Sequence, residues 1–315
     1  MSPPVNSQKI LSTEKITVDF DGFKAVQDLD FAMSAGEVRF LIGPNGAGKT
    51  TLLDVICGRV KPLHGRVFFK DNIDLTRYQE HQIARLGIGR KFQTPSIFLS
   101  LSVLDNLELA MRGHRSVLTA LKARLNSEEE GRIRDCLRTI GLEDQAEVTA
   151  GSLSHGAKQW LEIGMILMQD PDVLLLDEPA AGMTDRETEK MGELLHSIVA
   201  RHSILVVEHD MEFVRQFAHT VTVMHEGRIL CEGTMDEVQR NEKVAEVYLE
   251  RRIAPVGGSE EAPVEDKSQA ATRPRGLFGR YRPNVAAGIP MERRAAYRFG
   301  LFGSRRPKGQ EKGKE

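Results

Sequence analysis

The chain has 315 residues, 28% charged and 40% hydrophobic, with a formal net charge of −2. This is an ordinary soluble composition, and it excludes fibrous and membrane-embedded classes. The charge is unevenly spread: Ile253 to Glu315 hold 13 Lys plus Arg against 7 Asp plus Glu, net +6, and the first 252 residues carry −8. Cys57, Cys136 and Cys231 are odd in number and widely spaced, which argues against a disulfide framework or a zinc site. MSPPVNSQK lacks the apolar core of a signal peptide, and no window offers the roughly 20 apolar residues needed to cross a bilayer. Work at a membrane would need another chain to do the spanning.

Residues 10 to 42 alternate apolar and polar in short runs such as KITVDF and VRFLIG, which predicts strands. A glycine-rich turn follows over 43–51, and TLLDVICG predicts a helix ended by Gly58 and Pro62. GRVFF reads as a strand and HQIARLG as a short helix. Leu101 to Leu125 and Glu128 to Ile140 read as helices. Val173 to Leu176 is a buried strand, Arg186 to Ala200 an amphipathic helix and Ile204 to Val207 a further buried strand. This alternation predicts an α/β core with a largely parallel sheet, and the helix-rich span 94–168 reads as an inserted arm. Residues 1–252 form the expected domain. The remainder, 253–315, is rich in Pro, Gly, Ser and charge, which predicts a disordered basic tail. Within it Gly276-Leu277-Phe278-Gly279 recurs as Gly300-Leu301-Phe302-Gly303. That repeat is either chance in a biased segment or a duplicated docking motif.

The run GPNGAGKT, residues 43 to 50, satisfies G-x-x-x-x-G-K-[ST] and sits between an apolar strand and a helix. In such a loop, glycines let successive N–H groups converge on phosphate oxygens, and the helix adds the positive end of its dipole. The predicted nucleotide-binding residues are Gly43, Pro44, Asn45, Gly46, Ala47, Gly48, Lys49, Thr50 and Thr51. Lys49 would reach the β- and γ-phosphates, and the Thr50 hydroxyl would take a Mg²⁺ position. DVLLLDEP supplies the carboxylates: Asp177 at the end of a dry strand for the metal, and Glu178 as general base. On an extended chain their side chains point in opposite directions.

Together these parts resemble the ATP-binding subunits of ABC transporters over about residues 10 to 250. The resemblance implies a P-loop NTPase cassette with a mainly parallel core sheet, an N-terminal antiparallel β subdomain and an inserted helical subdomain. It also implies ATP and Mg²⁺ as ligands and ATP hydrolysis as the activity. Gln93, in GRKFQTP, falls at the family's Q-loop glutamine, which senses the metal and the attacking water. His209, in VVEHD, falls at the switch histidine that contacts the γ-phosphate. Phe20, in VDFDGFKAV, matches the aromatic that stacks on adenine, with a core aromatic as the alternative. Gly182-Met183-Thr184 falls at the D-loop.

The family pattern Leu-Ser-Gly-Gly-Gln appears here as Leu153-Ser154-His155-Gly156-Ala157. In the family this loop serves the other subunit's ATP. Ser154, a good N-cap residue, and the backbone at Gly156 would bind that γ-phosphate. His155 adds a side chain and Ala157 removes an amide. With Lys49, Asp177, Glu178 and His209 intact, the loop reads as specialised rather than dead. EPAAGM, GRKFQTPSIF and the long helical insert resemble the branched-chain amino acid transporter ATPases. LSHG-KQWLEIGM, with Trp160, and VVEHDMEFV resemble the urea-transporter member of that group. The resemblance implies a second ATP-binding subunit, identical or paralogous, two membrane permease subunits and, indirectly, a periplasmic solute-binding protein. It implies no nucleic acid, and a place in the cytoplasm on the inner face of the cell membrane. The alternatives are import of branched-chain amino acids or another solute, and a soluble ABC ATPase that moves nothing.

Overall fold

The computed structural model describes residues 8–91, 96–111 and 126–253, excluding the side chains of 248–253. All of them fall in one compact unit, Met1–Gly257. The repeated Gly-Leu-Phe-Gly and the expected tail lie outside the described residues.

Two sheets are present. The first is antiparallel, in the order β2-β1-β4-β5, from β1 (Lys9–Phe20), β2 (Phe23–Ser34), β4 (His64–Phe69) and β5 (Ile73–Asp74). The second has the order β10-β9-β3-β8-β7-β6. Its strands are β3 (Val38–Ile42), β6 (Ile88–Lys91), β7 (Val173–Asp177), β8 (Ser203–Val207), β9 (Thr220–His225) and β10 (Arg228–Gly233). All its pairings are parallel except β10 with β9. The mainly parallel core and the antiparallel N-terminal sheet are therefore as expected. The β9–β10 hairpin and the helices from Met211 onward were not placed from the sequence.

β3, β7 and β8 are buried throughout, so their apolar residues must serve two cores by alternation. Leu41, Val173, Leu175, Leu205 and Val207 join the antiparallel sheet and the helix Lys49–Ile56 on one face. Phe40, Ile42, Leu174, Leu176, Ile204 and Val206 join the helices His155–Leu167, Asp185–Ile198 and Met211–Phe217 on the other. A third core, including Leu107, Ile133, Leu137, Ile140 and Leu161, binds Val103–Ala110 and Ser127–Thr139 to the helix His155–Leu167. No strand occurs in the described part of 94–168. The predicted helix over 101–125 is corrected at both ends of its described part. Ser102 caps it in a reciprocal capping box with Asp105. It stops at Ala110, because Met111 turns extended at φ −61, ψ 131. Residues 112–125 lie outside the described residues. No helix of the described residues is long and apolar enough to cross a membrane.

Cys136 lies inside this third core, and burial pushes its thiol up to about 12. The thiolate is the reactive form. At about pH 8 alkylation should therefore spare Cys136 in the native protein and modify it only once denaturant opens the helical subdomain, as peptide mapping would show.

Candidate functional site

Four adjacent parallel strands end on one edge of the sheet, at Ile42 (β3), Lys91 (β6), Asp177 (β7) and Val207 (β8). In open α/β sheets this edge is where ligands bind. After β3 the chain curls through Gly43, at φ 150, and Gly48, at φ 96. A Cβ at Gly43 would overlap the Met224 carbonyl, and one at Gly48 the Ala25 carbonyl. Only glycine fits either position. Ala47 ties the loop down: it donates to the Pro44 carbonyl (3.1 Å) and accepts from the Gly227 N–H (3.1 Å). Lys49 Nζ donates to the carbonyls of Gly43 (2.8 Å) and Pro44 (3.0 Å). The helix Lys49–Ile56 starts directly behind, with Gly48 at its N-cap and no acidic residue in its first turn. The loop opens on a cavity of about 460 Å³ lined by Phe20, Phe23, Asn45 to Thr51 and Glu178. Phe20 is half exposed there and so is not a core aromatic; Phe23, 65% exposed, was missed by the sequence reading.

The alternation along β7 decides where its terminal carboxylate goes. Asp177 follows Val173 and Leu175 onto the face that carries the helix Lys49–Ile56. It is 2% exposed and its Oδ1 has no hydrogen-bond partner. Burial pushes its carboxyl up, against the pull of Arg90 and of the Thr50 hydroxyl. The sequence points to Mg²⁺ as a counter-ion for this carboxylate. Arg90, on neighbouring β6 and on the same face, shares that role: Nη2 lies 3.8 Å from Asp177 Oδ2, and Nη1 binds Asp54 Oδ1 at 2.7 Å. The donor set of Thr50 hydroxyl and unpartnered carboxylate oxygen is made of hard oxygen ligands, which fits Mg²⁺.

Glu178 does not reach the cavity by strand alternation, as the sequence suggested. The strand ends at Asp177, and Glu178 takes a left-handed conformation at φ 49, a sparsely populated region for a side-chain-bearing residue. Its N–H donates to the Val207 carbonyl (2.9 Å), and its Oε1 comes within 3.4 Å of His209 Nδ1. Between the strand and His209, Glu208 is 1% exposed and accepts from the N–H groups of Ala180 and His209, both at 3.2 Å. Burial pushes its carboxyl up against those donors.

Lys91, next to Arg90, faces the other side of the sheet and is 1% exposed. Burial pulls its ammonium down, opposed by Glu162, Asp177 and Glu208. Its partner is Glu162, at 3.8 Å on the helix that opens at Ser154. Glu162 also accepts from the Ser96 N–H at 3.1 Å. Gln93, between Lys91 and Ser96, lies outside the described residues. Neither Arg90 nor the Lys91–Glu162 pair was singled out from the sequence. The signal was two adjacent cations ending a short strand, which alternation sends to opposite faces.

Ser154 caps the helix His155–Leu167, accepting from the Ala157 N–H at 3.1 Å. Gly156 is buried against Glu187, whose carboxylate a Cβ there would overlap. The sequence brought Ser154 and Gly156 to a helix N-terminus as predicted. They lie beside the Ala181–Gly182 turn, with His155 Nε2 3.2 Å from the Ala181 carbonyl, and are not among the residues lining the Lys49 cavity.

Residues 26–181 match the family model for ABC transporters, and residues 228–249 match that for branched-chain amino acid ATP-binding cassette transporters. The chain is 34% identical over 254 residues to the high-affinity branched-chain amino acid transport ATP-binding protein LivG of Escherichia coli (strain K12), covering 77% of this chain and 98% of that protein. Among solved structures, an ATP-binding cassette of an ABC transporter in its ADP conformation is 33% identical with a TM-score of 0.66, over 76% of this chain and 98% of that one. A dimeric cassette in a post-hydrolysis state bound to ADP and Pi is 25% identical with a TM-score of 0.60, over 71% and 98%. The fold and the phosphate cradle are thus those of an ATP-hydrolysing cassette. The chain belongs to the ATP-binding subunits of ABC transporters, of the branched-chain amino acid transport type.

Breaking a buried ion pair from one side costs about 3–5 kcal/mol, whereas replacing both partners is often neutral. Lys91→Met should therefore lower unfolding free energy in urea by an amount in that range. Lys91→Met combined with Glu162→Leu should recover most of the loss.

Proposed function

We propose that this chain drives import of a small polar solute, urea, through separate permease subunits by hydrolysing ATP between two cassettes. The observation that carries the catalytic reading is the left-handed turn at Glu178. It places a carboxylate in the cradle cavity, 3.4 Å from His209, directly after a buried Asp177 with an unpartnered oxygen.

The roles follow from position. Backbone N–H groups from Asn45 to Thr51 hold the β- and γ-phosphates, and Lys49 exchanges its two carbonyl partners for phosphate oxygens. Phe20 stacks on the adenine, with Phe23 beside it. Thr50, Asp177 and Gln93 would hold Mg²⁺, which would neutralise charge on the phosphates. Glu178 takes the proton of the attacking water, and His209 orients the carboxylate and contacts the γ-phosphate. Ser154 and the backbone at Gly156 complete the site of the opposite cassette. Pairing with an identical or paralogous subunit is supported by the dimeric relative described above, and its head-to-tail arrangement rests on the family resemblance. The permeases dock on the helical arm, where Phe98 and Leu99 are 51% and 56% exposed. That places the pair at the inner face of the membrane, with a periplasmic binding protein delivering solute from outside.

Urea rests on the likeness of LSHG-KQWLEIGM and VVEHDMEFV to the urea-transporter member of the group. The names of the curated relatives favour branched-chain amino acids. Vesicles carrying this chain with its permeases and binding protein should accumulate labelled urea on ATP addition and leave leucine outside; the reverse would overturn the cargo reading. Glu178→Gln should bind ATP with near-native affinity, lose turnover by about 10²–10⁴-fold and accumulate closed pairs on size-exclusion chromatography. Phe98→Ser with Leu99→Ser should leave the ATPase rate of the isolated cassette within about twofold and abolish transport in vesicles, because only the docking surface is altered.

A further inference from the structure

The turn that carries Glu178 is closed internally: the Ala181 N–H donates to the Glu178 carbonyl at 3.2 Å, and the Met183 N–H to the Ala180 carbonyl at 3.1 Å. Beyond the bond from the Glu178 N–H to the Val207 carbonyl, it is anchored from outside at two points. One is Glu208, on the strand side, which accepts from the Ala180 N–H. The other is His155, on the opposite side, whose Nε2 lies 3.2 Å from the Ala181 carbonyl. A carbonyl only accepts, so this contact requires Nε2 to carry its proton and donate. Two further neighbours surround the ring. The Gln159 side-chain nitrogen, one helical turn on, is 3.2 Å from the same Nε2, but it is itself a donor and bonds the ring only in the other tautomer. Gly182, at φ 73, leaves room for the ring: a Cβ there would stand 3.3 Å from Nε2 and 3.4 Å from Cδ2. His155 is thus seated against the turn rather than free in solvent, although it is the first residue of its helix and exposed.

We infer that His155 is a positioning residue: it links the Ser154–Gly156 loop to the backbone three residues beyond Glu178, and so sets where the Glu178 carboxylate stands when that loop engages a phosphate. This deepens the reading above and rests on it. The helix that begins at His155 and the turn that begins at Glu178 have no covalent proximity. Displacement of the first reaches the second through this contact and the ring's packing on Gly182, and beside them through Gly156 on Glu187, which accepts from the Thr184 N–H. The link acts on the protomer's own base, while Ser154 and Gly156 serve the opposite phosphate. One site's occupancy would thereby adjust the other's chemistry.

Steady-state ATPase measurements on purified His155→Ala and His155→Gln test this. The imidazole touches no part of the Lys49 cavity. His155→Ala should therefore lower kcat about tenfold and leave KM for ATP within about twofold, the pattern of an interaction that matters only in the transition state. His155→Gln, whose amide can donate to the same carbonyl, should restore at least half of wild-type kcat. In a Glu178→Gln background, adding His155→Ala should leave the ATP-dependent closed pair as abundant as in the single variant, since the cap and cradle are untouched. Wild-type kcat in His155→Ala, a rise in KM without loss of kcat, a glutamine variant as slow as the alanine one, or loss of the closed pair would each overturn the inference. If Glu178→Gln itself retained turnover, the catalytic reading would fail first. If it lost turnover while His155→Ala did not, the positioning role alone would fail.

Discussion

A carboxylate at the dry end of a central strand sets the terms for everything around it. Asp177 must stay ionised to be useful to a metal, yet burial disfavours its charge. The chain answers with Arg90 from the adjacent strand and the Thr50 hydroxyl from the cradle helix, neither of which uses up Oδ1. Arg90 is in turn shared with Asp54, so the charge is balanced across three elements rather than in one pair. The loops of the site inherit their positions from this arrangement. Thr50 cannot leave Asp177, nor Asp54 leave Arg90, without exposing a buried charge.

The opposite face of the same sheet repeats the solution with different residues. Lys91 stands among Glu162, Asp177 and Glu208. Glu162 belongs to the helix that Ser154 opens, and Glu208 holds the turn after Glu178. Two consecutive cations on β6 therefore connect the cradle helix, the base-bearing turn and the capped helix. The left-handed backbone at Glu178 is strained and is sustained because the residues on both sides of it are held by hydrogen bonds.

Much of this was readable beforehand, for definite reasons. GPNGAGKT could hardly adopt another form, since two of its glycines approach carbonyls too closely for any Cβ. The apolar runs of β3, β7 and β8 announced a two-sided sheet because they are buried on both faces. Ser154 was recognisable as a cap from its residue type and position. Other features depended on contacts distant in sequence. Arg90 and Lys91 were not singled out, because their acidic partners lie 36 to 87 positions away. The route of Glu178 was misjudged because a left-handed residue leaves no mark in composition. Phe23 was passed over beside Phe20 because exposure is a tertiary property. The interruption at Met111 was hidden by an apolar pattern that continues past it.

The lysine of the cradle grips its own loop, bonding the carbonyls of Gly43 and Pro44. A positive group facing only solvent would leave a glycine-rich ring free to collapse or wander. Here the ammonium braces the glycine-rich ring as well as charging it, so a neutral side chain in its place would loosen the frame along with removing the cation.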